Sequence, residues 1–381
     1  MTQRYLPGAT IGVMGSGQLG RMFAMAARRM GYRVHIFSPE RDSPAGQLAD
    51  REVVAPYRDE KAVRAFARNV DLLTFEFENI PLETIEWSAS ECDVRPAGSV
   101  LHLAQHRLRE KDFLSGAGIP VAPYRAVRSA ADLSEAVKQL GLPSILKSAA
   151  FGYDGKGQEL IVSRNDLGKI WKARSGDELI LERAIAFEKE VSVIVARGPD
   201  GAVATFPVCE NLHRNHILDL TVVPARMDDS IADAAAALGE MIARRMELVG
   251  LLAVEMFLTA DGGLLVNELA PRPHNSGHWT IEGCNTSQFE QHVRAVCGLP
   301  LGSSEIIQPA AMANLLGDLW QAGEPDWAAA LEIKGVHLHL YGKQEPRPGR
   351  KMGHLTALAP SAEAAMAAVT EARAALTRPI S

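Results

Sequence analysis

Residues 250–279 read GLLAVEMFLTADGGLLVNELAPRPHNSGHW, and this stretch constrains the chain more than any other. Two apolar runs, 251–258 and 264–269, flank Ala260-Asp261-Gly262-Gly263, and Asp-Gly between apolar runs is a strong hairpin signal. A two-residue turn sets Glu255 opposite Glu268. Like charges face to face inside apolar strands repel and are costly to desolvate, so the pairing calls for a cation between them. Magnesium takes oxygen ligands and shares them between carboxylates and nucleotide phosphates, so it is the ion expected on Glu255 and Glu268. The plainer alternative is two solvated glutamates in another register.

With 381 residues, 47% of them hydrophobic and 23% charged, the chain has material for two or three domains with well-buried cores. A net charge of -6 argues against a nucleic-acid partner, whose footprint would be basic. No apolar run is long enough to span a bilayer and no signal-peptide pattern opens the chain, so the expected location is the cytoplasm, with no membrane partner. Cys92, Cys209, Cys284 and Cys297 lack paired spacing and read as reduced core residues. The histidine pairs 274/278, 102/106 and 337/339 complete no zinc set.

Strand signals at 10–14, 33–37, 52–55 and 72–75, with a helix at 18–30, give a βαβ pattern and hence a doubly wound parallel sheet. The first turn, Gly15-Ser16-Gly17-Gln18-Leu19-Gly20, fits G-x-G-x-x-G, where backbone amides at a helix N-terminus attract phosphate. The second strand ends in Phe37-Ser38-Pro39-Glu40, which puts the acid past a proline, so a phosphate is expected there without a dinucleotide. Close helix–strand packing is the alternative use of those glycines. A helix near 104–116 leads into a small α+β unit with strands at 144–147, 159–163 and 178–183. A larger unit follows, with a strand at 190–196, helices at 230–248 and 286–297, a strand at 335–341 and an alanine-rich helix at 361–376.

Several groups carry chemistry. The loop 151–158, FGYDGKGQ, is flexible enough to wrap amides around phosphate oxygens, although it is no Walker loop. Lys147 ends an apolar strand and should project toward an anion such as a nucleotide phosphate. The connector at 180–190 joins two strands where a backbone could cradle a base, with Glu190 placed for ribose hydroxyls. Lys343, Arg347, Arg350 and Lys351 form a basic cluster in an acidic protein, suited to a phosphate monoester. Glu76 and Asn79 follow a buried-looking strand, at the carboxyl edge where open α/β sheets bind ligands.

The hairpin, the strand lysine with its glycine loop and the strand connector together resemble the ATP-grasp superfamily. Five motifs narrow the resemblance: GSGQLG at 15–20, FEFENIP at 75–81, GYDGKGQ at 152–158, APRPHNSGHW at 270–279 and RPGRKMGH at 347–354. From about residue 11 to 354 the chain is similar to the 5-(carboxyamino)imidazole ribonucleotide synthases, ATP-dependent carboxylases of purine biosynthesis. The resemblance implies an α/β ATP-grasp fold with a Rossmann-like substrate-binding domain (1–105), a linker helix and lid (106–189) and a larger α+β catalytic and C-terminal domain (190–381). It implies ATP held by Arg107, Lys147, Gly152, Tyr153, Asp154, Gly155, Lys156, Gly157, Gln158, Glu182, Arg183, Ala184, Ile185, Glu190, His213, Asn267 and Glu268, with Mg2+ on Glu255 and Glu268. For 5-aminoimidazole ribonucleotide it points to Ser16, Gln18, Glu76, Asn79, Tyr153, Asp154, His274, Asn275, Lys343 and Arg350.

The implied reaction makes carboxyphosphate from bicarbonate and ATP and carboxylates the ribonucleotide's amine, giving ADP and phosphate. Lys147 steadies the transferred phosphoryl group, Arg272 holds bicarbonate, and His274 or Asp154 accepts the amine's proton. Family precedent adds a homodimer. The rivals are another ATP-grasp ligase, such as a formate-dependent glycinamide ribonucleotide transformylase or a biotin carboxylase; a nicotinamide dehydrogenase built on Gly15, Gly17 and Gly20; and a non-catalytic nucleotide sensor.

Overall fold

A computed structural model describes residues 3–150, 157–174 and 178–377. Its first sheet holds β1 (Thr10–Met14), β2 (Arg33–Ser38), β3 (Arg51–Val54), β4 (Leu72–Phe75) and β5 (Asp93–Val94), all parallel, in the order β3-β2-β1-β4-β5. The strand order reverses between β1 and β4, which opens a crevice at their carboxyl ends. Buried Ile11, Val13, Val34, Ile36, Leu72 and Leu73 fill both faces, as a parallel sheet covered by helices requires.

The second sheet has four antiparallel strands, β6 (Tyr124–Val127), β7 (Ser144–Ser148), β8 (Gln158–Ile161) and β9 (Leu179–Arg183), in the order β6-β9-β7-β8. Helices Ala130–Leu140 and Leu167–Arg174 cover one face through Leu133, Val137, Leu146, Ile170 and Leu181.

Among the described residues the third sheet has nine strands: β10 (Phe187–Arg197), β11 (Val203–Thr205), β12 (Cys209–Arg214), β13 (Ile217–Val223), β14 (Gly250–Thr259), β15 (Leu264–Ala270), β16 (Ala310–Leu316), β17 (Val336–Leu340) and β18 (Lys351–Leu358). Its order is β15-β14-β10-β12-β13-β16-β18-β17, with β11 on β10. The loop between β17 and β18 reaches back to the first sheet's unit, where Gln344 bonds Asp42 and Gly342 bonds Gln47.

The hairpin β14–β15 does pair Glu255 with Glu268, but not through the two-residue turn expected from Asp-Gly. Thr259 N donates to Gly263 O at 2.9 Å, so the loop is Ala260, Asp261 and Gly262, with Gly262 left-handed at φ 82°. Leu258 then faces Leu264 and Met256 faces Val266, a register that would misalign the glutamates. A bulge at Asn267 adds one residue and restores the pairing. Two one-residue departures cancel, and the second turns Asn267 and Glu268 both toward the same cleft.

The bulge is clamped from behind by the helix Arg107–Gly116. Lys111, buried, donates to Val266 O at 3.2 Å and Asn267 O at 3.1 Å, while Glu110, also buried, accepts from Leu269 N at 3.1 Å. Arg107 reaches Glu268 at 3.5 Å from the same helix.

Candidate active site

The three sheets meet around a cleft of about 1000 Å³. Gln18, Glu76, Glu78 and Asn79 line it from the β1–β4 crevice, Lys147 and Gln158 from the second sheet, and Glu190, His213, Glu255, Asn267 and Glu268 from the third. Arg272, His274 and Asn275 border it from the segment after β15.

At the crevice end the glycine turn holds a carboxylate of the protein itself. Glu76 accepts from Gly20 N at 2.7 Å and from Gly17 N, and a side chain on Gly15 would come within 2.4 Å of Glu76 Cγ. Gly15 and Gly17 therefore make room for Glu76, while at Gly20 the close neighbour is Ala45 Cβ at 3.2 Å. Burial pushes the Glu76 carboxyl up, against the two amides and the charges of Arg272 and Lys343. Ser16 is buried and its carbonyl accepts from Ala45 N, so it does not face the cleft as the phosphate reading required. Lys343 is outside the lining, with its ammonium on Lys351 O at 2.7 Å, yet its charge acts on Glu76. Burial and neighbouring Arg350 lower the Lys343 ammonium to about 8. Arg350 bonds Glu345 O at 2.9 Å and is also outside the lining.

At the other end Lys147 faces Glu182 rather than open space, at 2.7 Å, with both side chains buried. Burial opposes the charge on Glu182, but Lys147, Lys111 and Arg107 hold its carboxyl below the usual range. Arg183, Ala184 and Ile185 are not in the lining, and Glu182 lies behind Lys147. Glu190 pairs with His213, and the rings of Phe187 and Phe257 stack 4.7 Å apart beside them. Gly157 accepts from Ser148 N at 3.1 Å. Gly152, Tyr153, Asp154, Gly155 and Lys156 lie outside the described residues.

In the middle, His274 Nε2 lies 3.1 Å from Glu255 Oε1. Burial alone would raise Glu255, yet the hydrogen bond from His274 and the cationic groups around it depress its carboxyl to about 2. Arg272 is paired bidentately with Glu78, including Nη2–Oε1 at 2.9 Å, so it is neither a surface residue nor unpaired. Asn275 is buried with both amide atoms unpartnered among the described residues, and Asn267 Oδ1 is likewise unpartnered. Buried polar groups without partners cost free energy, so these atoms fit contact with a bound molecule. Two opposed carboxylates beside an unpartnered amide oxygen also fit a magnesium ion that shares its remaining ligands with phosphates.

Residues 8–105 match the ribonucleotide synthetase preATP-grasp domain, 112–289 the ATP-grasp domain and 310–368 the phosphoribosylaminoimidazole carboxylase C-terminal domain. Over 350 residues the chain is 47% identical to the N5-carboxyaminoimidazole ribonucleotide synthase of Bacillus subtilis, an alignment spanning 92% of this chain and 91% of that protein. The chain belongs to the N5-carboxyaminoimidazole ribonucleotide synthase family. A crystal structure of an ADP complex of N5-carboxyaminoimidazole ribonucleotide synthetase superposes with a TM-score of 0.93 at 44% identity, covering 98% of both chains. The Aspergillus clavatus N5-carboxyaminoimidazole synthase, in complex with ADP and 5-aminoimidazole ribonucleotide, gives 0.89 at 34% identity, covering 98% of this chain and 99% of that one.

N5-carboxyaminoimidazole ribonucleotide synthase membership accounts for the ATP-grasp fold and for the motifs that border the cleft. Reading the sequence missed Glu78, the partner of Arg272, although it sits inside FEFENIP. It also missed Phe187 and Phe257, which look like ordinary strand residues. Glu110 and Lys111 were hidden too, because Arg107-Leu108-Arg109-Glu110-Lys111-Asp112 reads as a solvated helix face. No helix among the described residues is long and apolar enough to cross a membrane.

Proposed function

We propose that this chain is an ATP-dependent carbon–nitrogen ligase that carboxylates 5-aminoimidazole ribonucleotide with bicarbonate in purine biosynthesis, releasing ADP and phosphate. The observation that carries this reading is the register pair Glu255 and Glu268 in a cleft shared by the ATP-grasp sheets and the β1–β4 crevice of a family member.

The nucleotide lies toward Lys147, Gln158, Glu190, His213, Asn267 and Glu268, and the ribonucleotide toward Gln18, Glu76, Asn79 and Asn275. Glu255 and Glu268 would hold magnesium, whose charge, when bound, steadies the triphosphate. A bicarbonate oxygen attacks the γ-phosphorus and ADP leaves, forming carboxyphosphate. The ribonucleotide's exocyclic nitrogen then attacks the carboxyl carbon, phosphate leaves and the nitrogen loses a proton. Lys147 is the protein's cation for the transferring phosphoryl group, released to it from Glu182. Arg272, held by Glu78 with its face to the cleft, orients bicarbonate. Carboxyphosphate must be kept from water until the amine attacks it, and Tyr153 and Asp154, which the family resemblance assigns to the ribonucleotide, lie outside the described residues. Lys343 and Arg350 take the ribose phosphate. A cytoplasmic homodimer completes the reading, on family precedent.

The test is ADP release with bicarbonate and 5-aminoimidazole ribonucleotide omitted in turn. Release that needs both supports the reading, and release indifferent to the ribonucleotide removes it.

A further inference from the structure

The loop that follows β4 carries Glu78 and Asn79 into the cleft with no strand or helix to hold it. Residues 76–80 belong to neither kind of element, and Pro81 brings no N–H. Among the described residues no backbone amide donates to the carbonyl of Glu78 or of Ile80. A side chain does so instead. Gln105 Nε2 donates to Glu78 O at 2.7 Å and to Ile80 O at 2.5 Å. The side-chain amide has two hydrogens, so both are used, one on each side of Asn79.

Gln105 is itself anchored. It follows the helix Gly98–Ala104, and its own N–H donates to Leu101 O at 3.0 Å. Leu101 is buried and packs in the cluster that also holds Phe75, Ile80 and Ile85. Clamp and loop therefore stand on one apolar core, that of the first sheet. The next two residues turn to other partners. His106 Nε2 lies 3.1 Å from Glu178 Oε2, and Arg107 N donates to Ala149 O at 2.7 Å, both in the unit of the second sheet. Gln105 does not line the cleft, whereas Glu78, Asn79 and Arg107 do.

We infer that Gln105 is a positioning residue for the ribonucleotide: by fixing the two carbonyls that flank Asn79, it sets Asn79 and Glu78, the partner of Arg272, in the cleft. Neither carbonyl can turn without leaving its donor, so the peptide planes around Asn79 are fixed before a ligand arrives. Arg107 and Lys147 stand on separate supports, so loss of the clamp falls on the ribonucleotide rather than on the nucleotide. That Asn79 meets the ribonucleotide rests on the carboxylase reading. That Gln105 fixes the loop does not.

The test is Gln105→Leu in the full chain, which keeps the bulk and removes both donors. KM for the ribonucleotide should rise about tenfold, the scale of one neutral hydrogen bond lost, with KM for ATP within about twofold of the parent. Carboxylated product should also fall behind ADP release, because carboxyphosphate meets water before a misplaced amine. Hydrogen exchange followed by mass spectrometry should speed up in the peptide spanning 76–80 and stay unchanged in the hairpin 250–270. Should the leucine variant not fold, Gln105→Glu keeps the shape and puts an oxygen where the donor stood, with the same results expected. A ribonucleotide KM like the parent's, a parallel rise in both KM values, or unchanged exchange in the loop overturns the inference. Failure of the carboxylase reading would appear in the parent itself, as ADP release without the ribonucleotide, and would leave the exchange result standing.

Discussion

Replacing Lys111 by methionine removes the two hydrogen bonds that hold the carbonyls of Val266 and Asn267 at the bulge. Lys111 is only 1% exposed, so water cannot take over that role. Each orphaned carbonyl costs about 1–3 kcal/mol. Part of this is returned because the ammonium no longer has to be held out of water. Glu110 and Glu182 lose a neighbouring cation, but burial already raises the Glu110 carboxyl, so it can take up a proton and limit the added cost. The net destabilisation is about 2–4 kcal/mol, with the orphaned carbonyls the dominant loss. The catalytic effect should exceed what stability alone explains. A relaxed bulge moves Asn267 and Glu268 together, and a misplacement of about 1 Å can cost about 10²-fold in rate. Urea unfolding followed by tryptophan fluorescence, with kcat measured well below the transition, gives both numbers. Stability within about 0.5 kcal/mol of the parent, or kcat within about threefold, would refute the clamp, because a buried hydrogen-bonded ammonium cannot be removed that cheaply.

Three further outcomes follow from the roles proposed for Lys343, Glu78 and Asp154. Because the Lys343 ammonium is lowered to about 8, it is charged below that pH and loses its proton above it, so the KM for the ribonucleotide should climb up to about tenfold per pH unit on the alkaline side. Lys343→Arg, which stays charged, should flatten that limb in a pH series of initial rates. Glu78→Gln strips a buried guanidinium of its counter-charge and should cost about 3–5 kcal/mol in urea unfolding while raising the bicarbonate KM, whereas an unchanged KM would detach Arg272 from bicarbonate. Asp154→Asn should let ADP release continue while carboxylated product falls, and an equal loss of both would take Asp154 out of the coupling step.

What could be read from the chain depended on how local the signal was. The parallel sheet was legible because β1, β2 and β4 are short apolar runs separated by a helical period. Glu255 and Glu268 were legible because Asp261-Gly262 marks a hairpin, although the loop length was misjudged and a bulge that leaves no pattern of its own corrected the register. β12 and β13 were not found, since Cys209–Arg214 mixes apolar and charged residues without clean alternation. The ion pairs of Lys147 with Glu182 and Arg272 with Glu78 join residues far apart in sequence, and only packing brings them together.

The central claim is that Glu255 and Glu268 together steady the triphosphate while its terminal group passes to bicarbonate. ADP release by the parent, Glu255→Gln and Glu268→Gln, each with bicarbonate and 5-aminoimidazole ribonucleotide withheld in turn, tests it most directly. The parent should require both substrates, and each variant should lose about 10²–10³-fold in kcat, the scale of removing one preorganised electrostatic contact. Turnover that ignores the ribonucleotide, or variants that keep pace with the parent, would contradict it.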